Sequence, residues 1–168
     1  MTIQNILLTV HPILHTRCKW VKDIRHPDVQ QVIGDLLDTI PDNGAGLAAP
    51  QIGSNLRIAV VRVWDAEEEK HTTLDVHGQF WVLVNPWITY KAGSRMVWEG
   101  CLSVPGCTLY IPRSCVVTVR AFTRGGIPCT VRARDNTVAQ ALEHEIDHLN
   151  GVTFVDHWDG NVGNMRRG

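Results

Sequence analysis

The sequence lacks several features that would assign a protein at a glance. No apolar run approaches the roughly 18 residues of a membrane span, so no membrane-crossing helix is expected. Neither GxxxxGK nor GxGxxG is present, which argues against a phosphate-cradling nucleotide site. There is no CxxC, and the five cysteines (Cys18, Cys101, Cys107, Cys115, Cys129) are odd in number and irregularly spaced. That is no secreted disulfide framework; in a reducing compartment such residues are buried, catalytic or metal-bound. An excess of either charge is also missing: sixteen Lys and Arg face seventeen Asp and Glu, leaving a formal −1. A general electrostatic grip on nucleic acid or an anionic membrane is therefore disfavoured, and only a local basic patch stays open. The opening MTIQNILLTVHP has no basic n-region and no small-residue cleavage site, so it reads as mature protein. A soluble, cytoplasmic chain is the expectation.

What is present suits one globular domain over residues 1–168, with 44% hydrophobic and 20% charged residues. His26–Ile40 reads as a helix: Pro27 suits its first turn, Asp28 its positive end, and Val29, Val32, Ile33, Leu36, Leu37 and Ile40 form one stripe. PDNG ends it, and Gly44–Gly53 reads as a small-residue loop. Strands are expected at Arg57–Val63, Phe80–Val84, Trp87–Tyr90, Cys115–Phe122 and Ile127–Ala133, with Trp64–Gln79 as an exposed hairpin loop. A second helix starts at Asn136 or Thr137 and stops at Asn150-Gly151. The order helix, strands, helix implies an α+β fold of mostly antiparallel sheet packed around the helix that carries HEIDH.

That helix holds the most informative residues. His144 and His148 are four apart, on one helical face, where both imidazoles can reach one ion. Glu145 lies at the edge of such a site, placed to hold a water instead of ligating. The same residues also suit a solvated, charged helix face. A catalytic site needs a third protein ligand and an open position. The extended protease form of the motif would put its next His where Phe154 stands; His157 and Asp159 are downstream candidates. A better third ligand lies upstream in WEGCLSVPG, where Cys101 offers a thiolate and Gly100 permits close backbone approach. Gly, Ser103 and Pro105 make this segment read as an irregular exposed turn, although a lone Cys is as readily a buried small hydrophobe. In the Gly44–Gly53 loop, the Gln51 amide could stabilise a developing oxyanion; the loop would equally pass for a tight helix-to-strand connection.

GAGLAAPQ (Gly44–Gln51), EGCLS (Glu99–Ser103) and HEIDH (His144–His148) occur in the order and rough spacing of peptide deformylases, which the sequence resembles over about residues 3–155. The resemblance implies a hydrolase that removes the N-formyl group from the initiator methionine of new polypeptides and releases formate. It implies Cys101, His144 and His148 as ligands of one divalent ion, Fe2+ in most of the family, although the donor set also accepts Zn2+, Ni2+ or Co2+. By the same resemblance Glu145 is the general base. Gln51 and the Leu102 backbone N–H face the formyl oxygen, and Gly46 and Gly100 hold the peptide main chain. Two other readings are a different HExxH metallopeptidase and an idle relative that only binds N-terminal peptides; the missing ligand at Phe154 and the intact Glu145 speak against them.

The chain departs from the pattern in places. Fifty residues separate Gln51 from Cys101, more than in compact relatives, with the excess assigned to Trp64–Gln79. Where many relatives place a basic residue after EGCLSVPG this chain has Cys107-Thr108-Leu109-Tyr110, and Arg113 is the nearest substitute. Thr137, Gln140 and Ala141 are less apolar than in many relatives, which bears on methionine preference. Only twenty residues follow His148, too few for the long charged helix that some members use at the ribosome, so any ribosome contact is expected to be transient. No specific nucleic acid or membrane partner is expected. Trp98 adjoins the motif as a cleft or core residue, and Cys101 and Cys107 could join in a disulfide on oxidation.

Overall fold

A computed structural model of the chain describes residues 3–63, 76–77 and 79–167. The first helix, α1 (Pro27–Thr39), begins where His26 accepts a hydrogen bond from the Asp28 N–H and Pro27 fills the first position. Val29, Ile33, Leu36 and Ile40 are buried, so the stripe seen in the sequence is the face that packs. The small-residue stretch after it is more ordered than a loop. Gly46–Ala48 forms β1, paired antiparallel with β2 (Ile58–Arg62), and Ala49–Ile52 closes as a 3-10 turn that Gly53 ends at φ +86°. Most of Trp64–Gln79 lies outside the described residues. Its end, β3 (Val76–His77), pairs with the start of β4 (Phe80–Ala92).

The two strands expected at Phe80–Val84 and Trp87–Tyr90 are one, thirteen residues long, with register shifts between Val84 and Trp87 and between Ile88 and Tyr90. Asn85 sits at the first shift with φ +52°, and its amide accepts from the Val21 N–H and donates to the Val21 carbonyl (2.8 and 2.9 Å). The irregularity is thus tied to the chain preceding α1, a common use of a bulge. The segment around WEGCLSVPG is likewise no irregular turn. β5 (Arg95–Cys101) and β6 (Val104–Arg113) form a hairpin, whose only irregularity falls between Gly100 and Cys101.

β7 (Val116–Phe122) and β8 (Pro128–Arg134) follow as expected, joined by the Thr123–Gly126 turn. Then comes the second helix, α2 (Thr137–Leu149), capped by Asn136 through a 2.8 Å bond from the Ala139 N–H and stopped at Asn150 with Gly151 at φ +76°. A short β9 (Met165–Arg167) adds to β6. Among the described residues the large sheet runs β1-β2-β4-β7-β8 with β3 on β4, and the small one β5-β6-β9; every strand pair is antiparallel.

The large sheet has two covered faces. Ile58, Val60, Val82 and Val84 meet α1, whereas Val61, Leu83, Val117, Val119 and Val131 meet Val138, Leu142 and Ile146 of α2. Burying such a Val, Leu or Ile is worth roughly 1.5–3 kcal/mol each, so α2 is fixed along its apolar side and its remaining side is turned toward the β5–β6 hairpin. No described helix is long and apolar enough to cross a membrane.

Candidate metal centre

The side of α2 left free by packing carries His144, Glu145 and His148, all buried, with the two imidazole centroids 4.8 Å apart. Cys101, at the end of β5, brings its Sγ to 3.2 Å from His148 Nε2. One donor atom each from Cys101, His144 and His148 lies within 4.8 Å of the others, a separation that fits three ligands of one ion.

Electrostatics prepare those donors. His144 Nδ1 lies 2.6 Å from Glu99 Oε1, so it donates there and leaves Nε2 for an ion. Burial alone would raise the Glu99 carboxyl, but the bonds from His144 and Arg113 outweigh it and hold it at about 2. Burial opposes charge on His144, yet its bonds to Cys101 and Glu99 raise it well above the ordinary imidazole range, so an ion taken at Nε2 displaces a proton from it. Burial and the neighbouring His144 push His148 down to about 3, so it is neutral, the form that ligates.

Glu145 differs from both histidines. Its Oε2 is buried without a hydrogen-bond partner, and burial lifts the carboxyl to about 7. An unpaired buried carboxylate is costly, and beside three convergent soft donors it fits a site that receives an ion and a water. Its other oxygen presses on Gly46, where an added Cβ would lie 2.5 Å away.

Gln51 is held as an oxyanion donor would have to be. Its Oε1 accepts from the Ala48 N–H at 2.9 Å, which turns Nε2 toward Ser103 Oγ (3.2 Å) and Cys101 Sγ (3.6 Å). Gly46, Gln51, Gly100, Cys101, Leu102, His144 and Glu145 all line one cavity of about 480 Å3, as do Thr137, Gln140 and Ala141. β5 pairs only with β6 among the described strands, so its other edge is open.

Other sequence candidates lie elsewhere. Phe154 is buried with Leu109 and Ile111, and His157 Nε2 donates to the Asp147 carboxylate at 2.8 Å instead of reaching the cluster. Asp159 accepts from the Asn161 N–H. Arg113 is no substrate contact: it is buried, forks onto Glu99 (2.6 and 2.9 Å) and reaches Asp147 at 2.6 Å. Trp98 is neither cleft nor core; it is 36% exposed, with Tyr110 on one side and the Arg166 guanidinium 3.8 Å from its ring centroid. Sequence reasoning missed Glu99, Arg113 and Asp147 as the frame behind the ligands. Two of them stand inside EGCLS and HEIDH, which was the available signal.

Residues 3–163 match the family model for polypeptide deformylase. The chain belongs to the polypeptide deformylase family. The peptide deformylase of Dehalococcoides mccartyi strain CBDB1 is 39% identical over 158 residues, 94% of this chain and 87% of the relative. A crystal structure of a peptide deformylase from Legionella pneumophila superposes with TM-score 0.81 at 37% identity, covering 95% of this chain and 88% of that one. The Ehrlichia chaffeensis peptide deformylase, solved in complex with actinonin, gives TM-score 0.82 at 31% identity over 95% and 91% of the two chains. Peptide deformylases are metal-dependent hydrolases that remove the formyl group from nascent peptides. A Cys/His2 cluster with both imidazoles buried, beside a carboxylate, is the equipment such chemistry needs.

Proposed function

We propose that residues 1–168 form one catalytic domain, built with its sheets around α2, that deformylates the N-terminal methionine of newly made polypeptides in the cytoplasm. The observation that carries this reading is the convergence of Cys101, His144 and His148 beside the unpartnered carboxylate oxygen of Glu145. In this reading those three residues hold one divalent ion, which we assign as Fe2+, with Zn2+, Ni2+ and Co2+ as ions the same donors accept. When bound, such an ion supplies Lewis acidity and brings the pKa of water near neutrality.

Glu145 takes a proton from the attacking water as the water oxygen bonds to the formyl carbon. It then returns a proton to the amine nitrogen as the C–N bond breaks, and formate leaves. A carboxyl lifted to about 7 by burial is suited to both directions of transfer near neutral pH. Gln51 Nε2 and the Leu102 N–H donate to the formyl oxygen as it gains charge. Gly46 and the Gly100 backbone keep the peptide extended along the open edge of β5. Neither a membrane nor a specific nucleic acid sequence enters this chemistry.

The test is formate release from formyl-Met-Ala-Ser by protein purified without oxygen and loaded in turn with Fe2+, Ni2+ and Zn2+, beside Glu145→Ala. Rapid release by the wild type, and none by a mutant that still holds metal, is the expected result. Metal binding without formate from any loaded form would overturn the assignment.

A further inference from the structure

α1 covers only part of the large sheet. Its apolar partners on that face lie on β2 and β4, with Phe122 at the margin. Beyond them β7 and β8 turn a face to solvent whose residues alternate with the buried Val117, Val119, Cys129, Val131 and Ala133. The strand register places Trp87 opposite Arg120 and Arg120 opposite Thr130, then Tyr90 opposite Thr118 and Thr118 opposite Arg132, with Arg134 two residues further along β8. Arg120, Arg132 and Arg134 are exposed, and Tyr90 is 52% exposed.

Three features mark this as more than an ordinary solvated face. No ion pair joins any of these arginines to a described carboxylate. The exposed carboxylate of Asp135, next to Arg134 in the chain, lies by the Cys115 thiol and makes no ion pair with an arginine. In a chain of net charge −1 this leaves a strip of three exposed arginines with no ion pair among the described residues. Second, an open depression of about 600 Å3 lies at Trp87, Arg120, Pro128 and Thr130. Third, Trp87 is backed by half-exposed Trp20 at 5.8 Å, whose ring in turn lies 5.8 Å from the buried Arg57 guanidinium. The aromatic rim is therefore held in place.

We propose that this β7–β8 face binds single-stranded RNA, its arginines taking successive phosphates and its Trp87 and Tyr90 rings taking bases. Residues two apart on a strand are about 6.7 Å apart, so Arg132 and Arg134 can track consecutive phosphates of an extended strand. Arginine recognises phosphate through its planar fork, and an exposed ring stacks on any base, so the surface is blind to sequence. An acidic protein would use the arginines but has no comparable need of the rings. The proposal is independent of the metal centre, which faces the opposite side of the sheet.

The test is fluorescence anisotropy with a labelled single-stranded RNA of about a dozen nucleotides, titrated with wild type, Arg120→Gln/Arg132→Gln and Tyr90→Ser. A polyglutamate peptide of equal charge is titrated in parallel. Three phosphate contacts predict a slope of log K on log salt of about −2. The arginine variant should bind at least tenfold more weakly with a flatter slope. Tyr90→Ser should bind at least fivefold more weakly at unchanged slope, and both should release formate like the wild type. Equal affinity for polyglutamate would overturn the proposal in favour of an acidic protein partner. Binding that ignores both variants would overturn it outright.

Discussion

A methyl group at Gly46 would stand 2.5 Å from Oε1 of Glu145. The glycine of β1 is therefore what lets the carboxylate lie against the backbone at its present depth, beyond any use the substrate makes of it. Gly46→Ala should displace the Glu145 side chain and leave the three ligands alone. We expect formate release to fall about 10²-fold or more, the range associated with general acid–base catalysis, while bound metal stays stoichiometric. Steady-state kinetics with metal analysis of the same samples checks this. Activity within twofold of wild type would show that the carboxylate has another place to go.

Glu99 is the hinge between stability and ligation, because it takes both His144 Nδ1 and the Arg113 fork while almost fully buried. Its folded pKa of about 2 lies below the ordinary 4.5, so it stabilises the fold above about pH 4.5. That contribution is lost as pH falls from about 4.5 to 2. Glu99→Gln leaves Arg113 short of a charge partner, and breaking a buried pair costs about 3–5 kcal/mol. The variant should be destabilised near pH 7 by urea unfolding, and the gap from wild type should narrow below about pH 4.5 and close toward pH 2. Metal affinity by chelator competition should also drop about 10- to 100-fold, because His144 loses the acceptor that orients it. A gap that is constant with pH would mean that the carboxylate charge is not what stabilises.

Gln51 and its Ala48 anchor separate binding from rate. Because Oε1 is taken by the Ala48 N–H, Nε2 is aimed at Ser103 Oγ and Cys101 Sγ, and exchanging one of those contacts for the oxyanion needs no turn of the amide. Gln51→Ala should lower kcat by about 10²–10³ and leave KM within a few-fold, since a neutral formyl oxygen gains little from the donor. A change confined to KM would assign Gln51 to ground-state binding.

The sequence was legible where one short-range rule governed. α1 and α2 were legible from apolar spacing together with Pro27, Asp28, Asn136 and Gly151 at their ends, and the HEIDH face followed from four-residue spacing. β5 and β6 were not, for a physical reason. β5 buries only Glu99 among its residues, and β6 holds Pro105, Gly106 and Pro112, so neither shows an apolar alternation. The hairpin is held by its pairing and by Leu109, Ile111 and Phe154 beneath it, which are contacts distant in sequence. The Arg113 fork was hidden for the same cause: its partners lie 14 and 34 residues away. β4 looked like two strands because Asn85 and Pro86 carry turn chemistry, which here serves a bulge tied to Val21.

The cysteines should sort by position when alkylated under native conditions. Burial pushes the Cys18 and Cys129 thiols up to about 11, which leaves almost no thiolate near neutrality, so both should resist iodoacetamide until the fold opens. Cys107 is part-exposed and lines the cleft, and should react in every sample. Cys101 lines the same cleft with its sulfur between His148 and Gln51, so an ion held there should mask it. Peptide mass spectrometry with and without added metal should therefore show Cys101 modified only in the stripped protein, in step with the loss of activity. Mild peroxide in place of the alkylator tests the pairing of Cys101 with Cys107, which pack on one cluster in the small sheet. A disulfide-linked peptide pair recovered only from metal-free protein is the expected product. Equal labelling of Cys101 in both states would remove it from the ligand set.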